Sequence, residues 1–232
     1  DSAANYVHGF IIAYKEVYDT AQKVFADFTS YEKDIKQGLQ FVKYYFPKFK
    51  EPKKLITYIG PLDGYGDILS DDALIVGLHH HLGKNFSLYR SQIVQETYPE
   101  YISSRFEPDY IAVNNLKNIV LDIYPEKLED RSLVQQMVEK GKRLFILSKI
   151  LPLADEYKLI GYKKDQLKSA YENEKIIWDL FVQNNFLQTE DEIQNIFYRE
   201  EEDQEYRCHN SGNKWFQIYH CRMLFHQHLP GS

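Results

Sequence analysis

The chain has 232 residues, 44% of them hydrophobic and 15% aromatic, with 19 Tyr and 14 Phe. That apolar mass can build a sizeable core and excludes disorder over most of the length. The net charge of −6 comes from interspersed acid and base, which excludes the clustered basic stripe of a nucleic-acid surface.

Residues 2 to 28 read as one helix. Val7, Phe10, Ile11, Tyr14, Tyr18, Ala21, Val24, Phe25 and Phe28 recur at three- and four-residue steps and form one apolar stripe. A second helix starts with Ser30 as its N-cap and runs to Phe46. Ile35, Leu39, Val42 and Phe46 face one way, and Pro47 stops it. Residues 1–47 thus form an N-terminal helical pair.

The texture then changes. Leu55–Gly60 and Ala73–Leu78 are short runs rich in β-branched residues, bounded by Gly and Pro, and they predict two strands. Between them PLDGYGDILSDD is turn chemistry, with Asp63, Gly64 and Gly66 at the bends.

Helical signals return after Phe86. Pro108 suits a first turn, and a helix follows over Asp109–Tyr124 until Pro125. Leu133–Leu151 is the next helix and ends at Pro152. Asp165–Asn184 follows and is expected to bury Leu167, Tyr171, Ile177, Trp178 and Phe181. Thr189 and Glu192 form a capping box for a short helix. Residues 201–213 are a polar loop, and Trp215–Phe225 is a last amphipathic stretch. These elements predict a single, predominantly helical α+β domain with a small β-sheet; an all-α bundle is the alternative.

His79, His80 and His81 are the first chemical candidates. On a strand, His79 and His81 share a face and His80 opposes them. Two imidazoles on one face hold zinc only with further donors, and none lies at diagnostic spacing. His79 and His81 are therefore weak metal candidates, and a strand end emerging into solvent is the plainer reading. No H-E-x-x-H is present. By spacing its nearest counterpart is Asn114-Asn115-Leu116-Lys117-Asn118, with Asn114 and Asn118 at the ligand positions and Asn115 in place of the base. Glu139 falls where a third ligand could. Asn is a poor zinc donor and takes no proton, so three Asn on a solvated helix face is the plainer account.

No catalytic residue is assigned. There is no G-x-S-x-G elbow and no Gly-rich phosphate cradle. Cys208 and His209 are neighbours in a polar loop, which is not the spatial pairing a thiolate needs. Cys208 and Cys221 are too few for a disulfide framework. No cofactor is implied. Gly141, inside a helix, predicts a close helix–helix crossing, and Gly161 predicts a bend. Tyr44, Tyr45, Tyr58, Tyr65, Tyr89, Tyr98, Tyr101 and Tyr110 gather in the first half and suit either a binding interface or the rim of a core. No apolar run is long enough to span a membrane. The chain opens at Asp1 without Met and reads as a mature or trimmed sequence, compatible with a removed export signal or lipid-bearing Cys.

Four segments together resemble the gliding-motility lipoprotein GldB family of Bacteroidetes. They are YIGPLDGYGDILSDDALIVGLHHHLGKNFSLY, PEYISSRFEPDYI, LVQQMVEKGKRLFILSKILP and IGYKKDQLKSAYENEKIIWDLF, in order over residues 50–185. The resemblance implies an outer-membrane lipoprotein facing the periplasm, joined to the membrane by a lipid anchor outside this sequence. Its partners would be cell-envelope proteins of gliding or the associated secretion machinery, with no nucleic acid. It also implies a degenerate zincin-like body, distantly related to predicted zinc-dependent proteases, in which Asp109–Tyr124 takes the place of the metal-binding helix. The His-Glu signature of those relatives is missing here. The C-terminal NSGNKWFQIYHCRMLF departs from the Gly-Arg-Gly-Trp-type ending of the family. The leading expectation is a non-catalytic envelope protein that works by binding. The alternatives are a zinc-dependent peptidase with a non-standard centre and a periplasmic small-ligand or glycan-binding module.

Overall fold

The computed structural model describes residues 2–125 and 132–185. The helix expected from Thr189, the polar loop 201–213, the Trp215–Phe225 stretch, Cys208 and Cys221 lie outside the described residues. By its internal contacts the chain divides into two compact units, residues 1–119 and 120–232. Among the described residues it is mostly helical with one small sheet, as the patterning predicts.

In the first unit the expected single N-terminal helix is two helices, α1 (Ser2–Ala13) and α2 (Lys15–Val24). The break falls at Tyr14, whose φ of −100° and ψ of 12° leave the helical region. The expected stripe packs only in part: Ala21 is buried and Val24, Phe25 and Phe28 are half-buried, whereas Val7, Phe10, Ile11 and Tyr18 stay exposed; Val17, outside the stripe, is fully buried. The next helix, α3 (Thr29–Tyr45), starts before Ser30 and has no side-chain cap at its N-cap residue. Asp27 instead accepts the Thr29 N–H through Oδ1 at 2.9 Å. Gly38 of α3 lies against Leu116, where a Cβ would overlap the leucine side chain.

The sheet has three strands in the order β1-β3-β2. β1 (Lys54–Tyr58) runs parallel to β3 (Ala73–Gly77), pairing Lys54 with Ala73 and Tyr58 with Gly77. β2 (Ile68–Leu69) is antiparallel to β3 on its other side. Central β3 buries Leu74 and Val76 almost completely, which is why ALIVG reads as a continuous apolar run. The unpredicted strand β2 is only two residues long and sits inside the turn-rich segment. Ser70 closes its hairpin, donating its N–H to Ala73 O at 2.9 Å and accepting the Ala73 N–H at Oγ, 3.1 Å away.

After β3 the chain makes a 3₁₀ turn at Leu78–His80, another at Ser87–Arg90, and the short helices α4 (Gln92–Thr97) and α5 (Glu100–Ser103). Pro108 opens a 3₁₀ turn that leads into α6 (Ile111–Ile123), the first-turn role its position predicts. Val17, Ala21, Leu62, Leu82, Tyr89, Val94 and Phe106 form a core cluster of this unit.

In the second unit α7 (Leu133–Ile150) begins with a capping box. Ser132 Oγ accepts the Gln135 N–H, and Gln135 Oε1 accepts the Ser132 N–H at 3.0 Å. Gly141 is buried on α7. The following α8 (Glu156–Ile160) ends at Gly161, whose φ of 82° is the left-handed cap that favours glycine. The expected helix over Asp165–Asn184 is two, α9 (Lys164–Glu172) and α10 (Glu174–Gln183), broken at Asn173. There the Asn173 amide turns back to donate to Ser169 O at 2.7 Å. The break interrupts the expected stripe. Phe181 is fully buried, Leu167, Ile177 and Trp178 are half-buried, and Tyr171 is exposed. The Tyr171 hydroxyl donates to Glu156 Oε1 at 2.9 Å.

Candidate functional site

β3 leaves the sheet at Gly77 and coils at once into the 3₁₀ turn. A 3₁₀ turn sends successive side chains about 120° apart instead of to alternate faces. The expectation that His79 and His81 share a strand face and emerge into solvent is therefore wrong. All three imidazoles are buried, His79 and His81 with no exposed surface at all.

Each ring meets the backbone of another segment. His79 accepts the Gly60 N–H at Nδ1, 3.0 Å away, so its hydrogen is on Nε2, which donates to Tyr65 O at 3.1 Å. His80 Nε2 donates to Leu62 O at 3.0 Å, and its ring stacks on Phe106 at 4.3 Å. His81 Nδ1 donates to Glu107 O at 3.1 Å, and its Nε2 shares a hydrogen with Asp67 Oδ2 at 2.8 Å. The Asp67 side chain is only 6% exposed, and its Oδ1 accepts the Gly77 N–H at 3.2 Å.

All of these bonds except that of His81 to Glu107 O involve one loop, Gly60–Asp67, which joins β1 to β2. Tyrosines complete the fastening. Tyr58 donates to Tyr65 O and to Gly66 O (3.1 Å for the latter), and Tyr98 donates to Gly64 O at 2.6 Å. Tyr14 Oη accepts the Leu62 N–H at 3.3 Å, and the Asn118 amide donates to Asp67 O at 2.9 Å. A Cβ on Gly77 would lie within 2.8 Å of the O, C and Cα of Gly66, so loop and strand approach backbone to backbone. The face turned outward carries Pro61, Asp63 and Tyr65, the last 83% exposed.

The electrostatics follow from burial. Burial, reinforced by the neighbouring His80 and His81 rings, pushes His79 down to about 4, and burial lowers His80 as well. Burial raises Tyr58, Tyr89 and Tyr98, so their hydroxyls keep the hydrogens they donate. Tyr89 donates to His79 O at 2.7 Å and accepts the Leu82 N–H at 3.0 Å. His79 and His80 are thus neutral rings in a hydrogen-bonded bed under a loop, beside the His81–Asp67 pair.

Both His79 nitrogens and both His81 nitrogens are committed, and among the described residues no group of three His, Cys, Asp or Glu side chains could hold a metal ion. The Asn helix also differs from its reading as a solvated face. Asn115 is fully buried, its amide donates to Ile111 O at 2.9 Å, and its Oδ1 has no partner among the described residues. Asn114 is half-buried, and Asn118 is spent on the loop. Glu139 lies in the second unit, buried, where it accepts from Tyr124 Oη and from Lys142 Nζ, each at 2.7 Å. The tyrosines divide between roles. Tyr58, Tyr89 and Tyr98 fasten the interior, whereas Tyr44, Tyr65 and Tyr101 are exposed.

Asp67 and Gly77 are site residues that motif reasoning passed over, whereas Tyr58 and Tyr98 stand only among the tyrosines expected at an interface or core rim. The local signals are three glycines in the eight residues from Gly60 to Asp67 and a histidine run directly behind an apolar strand. A fully apolar strand enters a core, so the residues that follow it begin buried.

Fold and site together define an α+β protein whose ionisable cluster serves loop architecture. A family model described as gliding motility protein GldB matches residues 4–209. The chain belongs to that family of gliding-motility-associated lipoproteins. No curated protein and no solved structure gives a significant match. No helix among the described residues is long and apolar enough to cross a membrane.

Proposed function

We propose that this protein is a non-catalytic lipoprotein held at the periplasmic face of the outer membrane, where it serves gliding motility or the associated secretion machinery by binding envelope proteins. One observation carries the reading: the imidazoles that sequence offers for metal chemistry hold the Gly60–Asp67 loop, and that loop turns Pro61, Asp63 and Tyr65 outward. A loop already fixed in one conformation loses little further freedom on binding. A tyrosine at its tip offers large amphipathic area at low entropic cost. Family membership supports the envelope setting.

The test replaces Tyr65 with a photo-crosslinking phenylalanine in cells and identifies its adducts by mass spectrometry. The reading expects a discrete adduct with an envelope protein, lost when Asp63 is changed to Arg. It is overturned by the absence of any discrete adduct, or by chelator-sensitive peptide cleavage by the purified protein.

A further inference from the structure

Among the described residues β1 is an edge strand of the sheet, paired on one side only. Lys54 donates its N–H to Asp72 O at 3.1 Å, on the β3 side of β1. In a parallel ladder, backbone groups alternate sides, so Leu55 and Thr57 turn their N–H and C=O away from β3. None of these four groups has a hydrogen-bond partner among the described residues. Thr57 and Ile56 are exposed, and β1 has no strand beside it on this side among the described residues. An unpaired edge of this kind is a template for a further strand.

The chain leading into that edge is basic. Residues 43–54 hold Lys43, Lys48, Lys50, Lys53 and Lys54 against the single acid Glu51, within a protein of net charge −6. Lys43 pairs with Glu51 and Lys54 with Asp72. Lys48, Lys50 and Lys53 are exposed and make no ion pair with any described residue. Open backbone donors and acceptors beside uncompensated positive charge select for an extended, acidic chain.

We infer that the outer edge of β1 is a docking rail that takes an acidic, extended peptide segment of a partner protein as a fourth strand of the sheet. Main-chain hydrogen bonds to Leu55 and Thr57 hold the peptide, and the three lysines select its charge. The reading shares with the proposed function only the premise that the protein binds others, and it uses a different surface from the Tyr65 loop.

The test titrates the purified chain with a synthetic peptide of alternating Glu and Val, followed by fluorescence anisotropy. Thr57→Pro removes an outward N–H without removing a bond to β3, a substitution that edge strands accept. Saturable binding is expected. It should weaken by about tenfold or more in Thr57→Pro, in the Lys48→Glu, Lys50→Glu, Lys53→Glu triple variant, and for a peptide N-methylated at alternate residues. The methylated peptide keeps the test decisive even if Thr57→Pro does not fold. No saturable binding overturns the inference. So does binding that only the lysine changes weaken, which is electrostatic adsorption without strand addition. Dimerisation of the chain alone, lost in Thr57→Pro, also overturns it by making a second copy the occupant. Because only purified chain and synthetic peptide are used, failure here leaves capture at Tyr65 untouched.

Discussion

The His79–His81 turn and Glu139 are both buried ionisable features that spacing marks as metal-donor candidates, and the fold neutralises them in opposite ways. His79 and His80 meet backbone carbonyls and an amide, and burial and hydrogen bonding hold both neutral. Glu139 meets a lysine ammonium and a tyrosine hydroxyl, so its charge is compensated in place. The difference lies in what each group fastens. Histidines bound to backbone fix a loop, because a carbonyl cannot move without its chain. The two bonds to Glu139 come from side chains, Tyr124 Oη and Lys142 Nζ, which can turn without carrying their backbone with them.

The comparison breaks most severely where loop and strand touch. Gly77→Ala drives a Cβ into the Gly66 backbone, which has no soft end to move aside. A loss of about 3–4 kcal/mol is expected in chemical denaturation. An unchanged midpoint would mean that the close approach does not exist.

Acid sharpens the contrast next. The His79 value is depressed from 6.5 to about 4. Its contribution is therefore complete above pH 6.5 and is lost as pH falls toward 4, on the order of 3 kcal/mol in total. Lys142 is shifted the other way, raised first by its hydrogen bond to Glu139. That contribution is present below the ordinary lysine value and lost only in alkali. Denaturation midpoints measured from pH 7 to pH 4 should fall in the wild type and fall less in His79→Gln, in which one titrating ring is gone. Parallel curves would remove His79 from the account.

The smallest expected effect is at Glu139. Glu139→Gln keeps an acceptor for Tyr124 and weakens the charged bond to Lys142, for a loss of about 1 kcal/mol. A loss several times larger would show that Glu139 holds more of the second unit together than these two bonds account for.

Much of the fold was legible because its signals are local. Pro47, Pro108 and Pro152 mark helix ends, Gly161 marks a left-handed cap, and β-branched runs mark β1 and β3. The breaks at Tyr14 and Asn173 were not, because an apolar stripe can continue in sequence across a kink in the backbone. β2 was hidden because two residues carry no alternation. The site itself was the least legible part. Histidine type says nothing of burial, and the carbonyls that bury these rings lie 14 to 26 residues away at Tyr65, Leu62 and Glu107. Asn118 misled for the same reason: its partner, Asp67 O, is 51 residues distant. Spacing rules find residues that must share an element. They do not find a side chain that reaches across the fold to a backbone group.

The ring nitrogens of His79 give the most direct test of the claim that these imidazoles fasten the loop. Long-range ¹H–¹⁵N correlation at neutral pH, with and without added zinc, reads which nitrogen carries the hydrogen. A neutral ring with hydrogen on Nε2, unmoved by stoichiometric zinc, is the predicted result. A zinc-dependent shift of Nδ1 or Nε2 would contradict it and return the cluster to metal chemistry.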